Sequence, residues 1–165
     1  MIMVELPVFR APMRSRDDRI PAGSAVARAL ERGLCGLGGR LDTVPQSLRA
    51  AVARTAEAIG ERAAQRLERF AAAPHGAFVW AKDAYDFLWL GRLTGDWHYD
   101  SNPGAWAVDL VHVRACTWSE TPIPHDEAPP SVNATYARGG RNWQRIRDER
   151  AAPDTVRLWE RFGVA

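Results

Sequence analysis

Residues 77–93 read AFVWAKDAYDFLWLGRL, two runs rich in apolar and aromatic residues on either side of a short polar stretch. A hydrophobic pattern with a period near two, in runs of this length, is typical of β-strands. The pattern predicts strands at 77–82 and 86–93, and Asp83-Ala84-Tyr85 between them predicts the turn of a hairpin. The middle of the chain is therefore expected to form an antiparallel sheet.

The segment before this hairpin is predicted to be helical. Charged residues occupy the other faces of residues 44–72, and the apolar ones recur at spacings of three, four and seven: Val44, Leu48, Val52, Ile59, Ala63, Leu67 and Phe70. This spacing predicts one amphipathic helix over 44–72. A shorter helix over 25–32 is predicted to begin at an N-cap, Ser24, and to end at Gly33.

Shorter elements complete the predicted order. Residues 3–10 predict a first strand, and the glycine-rich residues 34–39 predict a tight turn. Further strands are predicted near 96–100, 106–118 and 142–146, with a helical turn at 131–136 and a final helix at 153–162. Helices that separate a first strand from an antiparallel set predict an α+β fold.

The composition predicts one intracellular domain over residues 1–165. No apolar run approaches the roughly 18 residues of a membrane span, so no membrane partner is expected. The first residues lack the basic and apolar regions of a signal peptide, so a cytoplasmic location is expected. Cys35 and Cys116 form no CxxC pair and are expected to be small core residues.

Known catalytic patterns are absent from the sequence, which has no GxSxG, Walker or HExxH motif. His98 and Asp100 alternate on a predicted strand and would share a face as an acid–base pair. Asp109 and His112 are a second pairing, but no third ligand has the spacing of a metal site. We therefore expect no catalytic residue, no metal and no cofactor.

Positive charge is concentrated near the end of the chain. The net charge is only +2, but Lys82 is the only lysine, so nearly all cations are arginines. Guanidinium groups suit phosphates and base edges better than ammonium groups do, although a GC-rich genome explains arginine usage equally well. Residues 138–147 contain no acidic residue and predict either a solvated face or a patch that contacts a nucleic-acid backbone. The patch consists of Arg138, Arg141, Arg145 and Arg147.

Four motifs together resemble one family. They are GLCGLGG at 33–39, GAFVW at 76–80, LGRLTGDWHYD at 90–100 and HVRACTW at 112–118. In this order they resemble the EVE-like group of the PUA-like superfamily, which is related to YTH domains. The resemblance implies that the core of the domain covers about residues 3–146. The most similar form of the group accompanies modification-dependent restriction systems. Ala77, Trp97 and Cys116 depart from the residues usual in the pattern.

The resemblance implies a small twisted β-barrel of about five to six strands flanked by helices. Related YTH and EVE domains hold a flipped, modified base between aromatic walls without catalysis. Stacking contributes about 1–3 kcal/mol per base, and a methyl group adds apolar area to bury. By this resemblance the pocket residues are expected to be Arg10, Ala11, Leu37, Gly38, Gly39, Trp80, Trp97 and Tyr99.

Two assignments keep alternatives open. Trp97 and Tyr99 alternate on a predicted strand and share a face, which is either a pocket wall or barrel core. Arg114 is predicted to point inward, where a guanidinium needs a partner. We expect a structural ion pair between Asp100 and Arg114 rather than a phosphate contact, with Asp109 as the other candidate partner.

The sequence thus predicts a non-catalytic reader of a modified, most simply methylated, base in DNA. It would serve a restriction or defence system, alone or with a separate nuclease or NTPase effector. An RNA- or tRNA-associated PUA-like binder is the first alternative. A small hydrolase that uses His98, Asp100 or His112, and a protein-interaction module, are the others.

Overall fold

The structure is a computed structural model that describes residues 5–164. Met3 and Val4 of the predicted first strand, and Ala165, lie outside the described residues. Strands and helices follow one another in the order β1 (Val8–Arg10), α1 (Ser24–Arg32), β2 (Leu34–Leu37), α2 (Leu48–Ala58), α3 (Glu61–Ala72), β3 (Phe78–Lys82), β4 (Leu88–Leu93), β5 (His98–Tyr99), α4 (Pro103–Val108), β6 (His112–Trp118), α5 (Pro130–Ala137), β7 (Gln144–Arg145) and α6 (Ala151–Phe162).

The strands form one mixed sheet that curls into about half of a barrel. Its order is β2-β6-β4-β3-β1-β7, and β5 also pairs with β6. Strand β1 runs parallel to β3, with Val8 opposite Phe78, whereas the other described pairs are antiparallel. The α+β prediction is confirmed.

The predicted hairpin is confirmed as β3 and β4, with Phe78 opposite Arg92. Asp83 holds the turn, since its carboxylate accepts hydrogen bonds from the backbone N–H groups of Tyr85 and Phe87. The other carboxylate oxygen accepts from the indole N–H of Trp89 at 2.9 Å. The polar stretch between the two apolar runs therefore fixes the turn, as an Asx-type turn does.

Side chains alternate along β3 between two cores. Val79 and Ala81 lie in a core that also contains residues of α1. Phe78 and Trp80 lie in a second core, which α5 and α6 cover on the other face of the sheet. This alternation follows from the period of two in a strand. Helices thus cover both faces of the sheet.

The predicted single helix over 44–72 is wrong, because it divides into α2 and α3 at Ile59 and Gly60. Gly60 has a φ of 141°, which the interior of a helix does not allow. Ser47 caps the start of α2, where its hydroxyl accepts from the N–H of Ala50. The break lets the two helices pack side by side.

Three other predicted elements are corrected. The predicted strand 106–118 begins only at His112, because Asn102 caps a short helix that has Pro103 at its first turn. Residues 34–37 form a strand rather than a turn, paired with β6. Gly23, not Ser24, is the N-cap of α1, and the Ser24 hydroxyl donates to Pro21 instead.

The end of α1 and the cysteines agree with the sequence. Gly33 ends α1 in the left-handed conformation, as predicted. Cys35 and Cys116 are free and buried in the core. No helix within residues 5–164 combines the length and the apolar composition that a bilayer crossing requires.

Candidate functional site

A cavity of about 680 Å³ lies where the loop after β1, the turn after β2, helices α2 and α3 and the segment before β7 meet. This volume is within the range of small-ligand sites. Its lining consists of Met13, Arg14, Arg16, Asp17, Arg19, Leu37, Gly38, Gly39, Arg40, Thr55, Ile59, Ala63, Arg66, Leu67, Asp109, His112, Arg141, Asn142 and Trp143.

The turn Leu37-Gly38-Gly39 lines this cavity, in the part of the chain where the sequence predicted a pocket. A Cβ on Gly38 would lie 2.7 Å from a carboxylate oxygen of Asp109, so a larger residue does not fit there. Gly39 has a φ of 119°, a conformation that favours glycine. Glycine is thus required at both positions for the backbone to approach Asp109.

Asp109 ties this turn to the loop after β1. One carboxylate oxygen accepts from the N–H of Gly39 at 2.9 Å, and the other accepts from the hydroxyl of Ser15 at 2.6 Å. Asp109 and Met13 both have positive φ angles although neither is glycine. Such strain persists only where surrounding contacts impose it, and it is common at functional sites.

His112 is buried and neutral in the cavity wall. The indole N–H of Trp97 donates to its Nδ1 at 3.2 Å, which assigns the ring proton to Nε2 because an indole can only donate. Nε2 then donates to the carbonyl of Gly39 at 3.2 Å. Burial lowers the pKa of His112 from 6.5 to about 4. Both ring nitrogens are therefore occupied.

Trp97 and Tyr99 lie behind His112 and outside the cavity lining. The ring of Trp97 lies nearly parallel to that of His112, at an interplanar angle of 25°, and the ring of Tyr99 meets it edge-on. The Tyr99 hydroxyl accepts from the N–H of Leu41 at 3.1 Å. Both aromatic residues therefore position the wall of this cavity without forming its surface.

Three other expected pocket residues also lie away from this cavity. Trp80 is fully buried in the second core, where its indole N–H donates to Thr155, so its prediction as a second wall of this cavity is wrong. Arg10 is buried and donates to the carbonyl of Asn142 and to Thr135. Ala11 is buried in the first core.

Trp143 is the aromatic residue that sequence reasoning missed. It lines the cavity and stacks on Phe9 with ring centroids 4.1 Å apart. Its indole N–H, and the hydroxyl of Thr55, are buried without a hydrogen-bond partner in the described residues. Buried polar groups are nearly always paired. No sequence pattern distinguishes Trp143 from a core tryptophan, because its position depends on β7 pairing with β1.

Arginine dominates the charge of the cavity. Six arginines and two aspartates occur among its lining residues. Asp17 pairs with Arg19 and Arg40, and Asp18 pairs with Arg141. The other three lining arginines make no ion pair or side-chain hydrogen bond with described residues: Arg14, Arg16 and Arg66.

The predicted basic patch is divided in the structure. Arg141 lines the main cavity, whereas Arg145 and Arg147 line a separate surface groove beside β1. Arg138 is exposed at the end of α5. The four arginines therefore do not form one continuous track, and only Arg141 is adjacent to the cavity.

The predicted ion pair between Asp100 and Arg114 is wrong. Arg114 is buried and satisfied by backbone carbonyls, of Gly95 at 2.7 Å and of Phe70 and Ala73 at the end of α3. Asp100 pairs instead with Arg28 at 3.4 Å. Carbonyl groups at a helix C-terminus are a suitable partner for a cation.

The residues of the hydrolase alternative are not brought together. His98 pairs with Val113 across β5 and β6, whereas His112 pairs with Tyr99, so the two histidines point to opposite faces. His98 is exposed, and Asp100 is engaged with Arg28. Within residues 5–164, no three His, Cys, Asp or Glu side chains are grouped as metal ligands.

No protein-family model, curated protein or solved structure matches the chain. The function is therefore argued from the chemistry of the cavity.

Proposed function

We propose that this chain is a nucleic-acid reader that holds one modified base in the cavity between α2, α3 and the Leu37-Gly38-Gly39 turn. The observation that carries the proposal is a cavity of about 680 Å³ with both an apolar lining and six arginines. A base is flat and largely apolar, and its backbone is anionic. The two parts of the lining match the two parts of a nucleotide.

The apolar part of the lining would receive the base and its modification. It consists of Met13, Leu37, Ile59, Ala63 and Leu67, with Trp143 beside them. Burying one methyl group in such surroundings contributes about 0.8 kcal/mol. A flipped base loses a few kcal/mol of stacking and pairing, which contacts in the pocket must offset. The unpaired N–H of Trp143 would supply a hydrogen bond to a polar atom of the base.

We propose DNA rather than RNA as the partner, with methylation as the simplest modification. This choice, and that of a restriction or defence system with a separate nuclease or NTPase effector, follow the resemblance to the EVE-like group. The curled sheet and its helices are compatible with a PUA-like barrel, which is the finer form of the fold that we propose.

A panel of matched oligonucleotides tests the proposal. Single- and double-stranded DNA and RNA of one sequence, each with and without a methylated base, are titrated against the protein by fluorescence anisotropy. We expect methylated DNA to bind about fourfold more tightly than its unmethylated match, because the two differ by one buried methyl group, which contributes about 0.8 kcal/mol. A preference for RNA would support the alternative binder, and equal affinity across methylated and unmethylated bases would contradict the reader function.

A further inference from the structure

Arg66 of α3 is at the centre of a cluster of four arginines at one side of the cavity. Arg62 and Arg69 lie four residues before and three residues after it, on the same face of the helix. Arg16 approaches from the loop after β1, and both Arg16 and Arg66 line the cavity. This set is called the Arg66 cluster below.

Within residues 5–164, no ion pair provides the Arg66 cluster with a counter-charge. Burial lowers the pKa of Arg66, and the neighbouring charges of Arg16, Arg69 and Arg62 lower it further. No carboxylate acts in the opposite direction on that pKa. Because arginine stays protonated in proteins, like charges are held together here at a cost in stability that a bound anion would remove.

The other charged part of the lining differs in this respect. Arg19 and Arg40 share the carboxylate of Asp17, and Arg141 pairs with Asp18. Arg16 and Arg66 make no such contact with described residues. An anion that enters the cavity would therefore meet these two guanidinium groups without displacing a protein carboxylate.

A buried hydroxyl provides a second, independent observation. Thr55 of α2 is 3% exposed and lines the same cavity, yet its hydroxyl has no hydrogen-bond partner among residues 5–164. A hydroxyl is a suitable donor to a phosphate oxygen, and a guanidinium group can donate two parallel hydrogen bonds to one phosphate. The unpaired cations and the unpaired donor thus require the same kind of ligand.

We infer that Arg16, Arg66 and Thr55 form a phosphate-binding subsite in this cavity. The inference rests on the proposed function in one respect: it assigns the phosphate to the nucleotide whose base enters the pocket. The subsite itself is defined by its chemistry, a tetrahedral oxyanion bound to two guanidinium groups and one hydroxyl. No bond is made or broken there.

Binding of inorganic phosphate to the full chain tests the subsite without any nucleic acid. Titration calorimetry and thermal unfolding are measured in chloride buffer with added phosphate, for the wild type, Arg16→Gln, Arg66→Gln and Arg49→Gln. Arg49 is an exposed arginine of α2 outside the cavity lining and is the matched control. We expect saturable binding that Arg66→Gln weakens about tenfold, equivalent to about 1.4 kcal/mol, because a charge-assisted hydrogen bond to the phosphate is lost. Arg16→Gln should also weaken binding, whereas Arg49→Gln should not.

Stability without phosphate separates a binding role from a structural one. If Arg66 is held for a ligand, Arg66→Gln relieves repulsion and melts at the wild-type temperature or above it, but phosphate no longer raises that temperature. A clear fall in melting temperature for Arg66→Gln in chloride, or equal phosphate affinity in Arg66→Gln and Arg49→Gln, would overturn the subsite.

The phosphate titration and the oligonucleotide panel can give opposite outcomes, so the subsite and the reader function are tested separately. Phosphate binding lost in Arg66→Gln, together with no preference for a methylated base, would support the subsite and contradict the reader function. Preference for a methylated base with no phosphate binding at Arg66 would support the reader function and overturn the subsite.

Discussion

His112 is held in one orientation and one protonation state by its neighbours. Trp97 donates to Nδ1 and the Gly39 carbonyl accepts from Nε2, while burial lowers the pKa. A neutral ring in this place presents no positive charge to the cavity, in contrast to the arginines around it. His112 thus acts as a fixed, uncharged part of the wall and links β6 to the glycine turn.

Stability should depend on pH through His112. Its pKa is about 4 in the folded protein and 6.5 as the usual value, so between these values the unfolded chain binds more protons. The contribution of the neutral ring is fully present above about pH 6.5 and is lost as the pH falls through 4, by about 3 kcal/mol in all. Urea unfolding at pH 7 and pH 4.5 measures this loss. His112→Gln should reduce the difference between the two pH values, and His98→Gln, at an exposed site, should not.

Trp97→Ala should chiefly cost stability. Trp97 packs against the first core and against a smaller cluster of Leu41, Ala51 and Leu67. It donates a hydrogen bond to His112 but does not line the cavity. We expect a loss of about 3 kcal/mol in the free energy of unfolding, whereas Trp106→Ala, at a residue that is 46% exposed, should lose much less. Near wild-type stability together with lost preference for a methylated base would instead make Trp97 a pocket wall.

The cavity lies at two breaks in the secondary structure, one between α2 and α3 and the other after β2. Helices α2 and α3 separate at Gly60, which lets Ile59, Thr55 and Arg66 line one side. Strand β2 ends at Leu37, and the glycine turn that follows lines the other side. Each boundary depends on a backbone angle or a close approach that glycine allows.

Gly38→Ala should disturb this turn. The added Cβ would collide with the Asp109 carboxylate, which holds both the Gly39 N–H and the Ser15 hydroxyl. We expect a loss of about 1–3 kcal/mol of stability, as for overpacking, and weaker oligonucleotide binding. Thermal unfolding and anisotropy measure the two effects. Wild-type values in both assays would mean that the turn is not required at this position.

At the scale of the whole molecule, local pattern predicted much of the fold but only part of the site. The hairpin at 78–93, the helix stop at Gly33 and the α+β class follow from periodicity and turn residues. The glycine turn also lines a cavity, in the region where the motif resemblance led us to expect a pocket. These features depend on residues close together in sequence.

The features that were missed depend on contacts distant in sequence. Trp80 and Trp143 are both buried tryptophans on strands or beside them. Only the pairing of β1 with β3 and β7 puts Trp80 in the second core and Trp143 in the first core, where it also lines the cavity. Arg114 donates to backbone carbonyls at the end of α3 and not to Asp100. The sequence does not predict this contact, because it depends on how α3 packs against the sheet.

The central claim is that the cavity itself receives the modified base, and filling it is the most direct test. Ala63→Phe places a ring in the lining without changing charge, and Ala72→Phe, at an exposed position of the same helix, is the matched control. Affinities for methylated and unmethylated DNA are measured for both, with thermal unfolding to verify that each variant is folded. We predict that Ala63→Phe binds the two DNAs equally, with the affinity for unmethylated DNA within about twofold of wild type since backbone contacts to arginine remain. A folded Ala63→Phe variant that still prefers methylated DNA as strongly as Ala72→Phe does would contradict the claim.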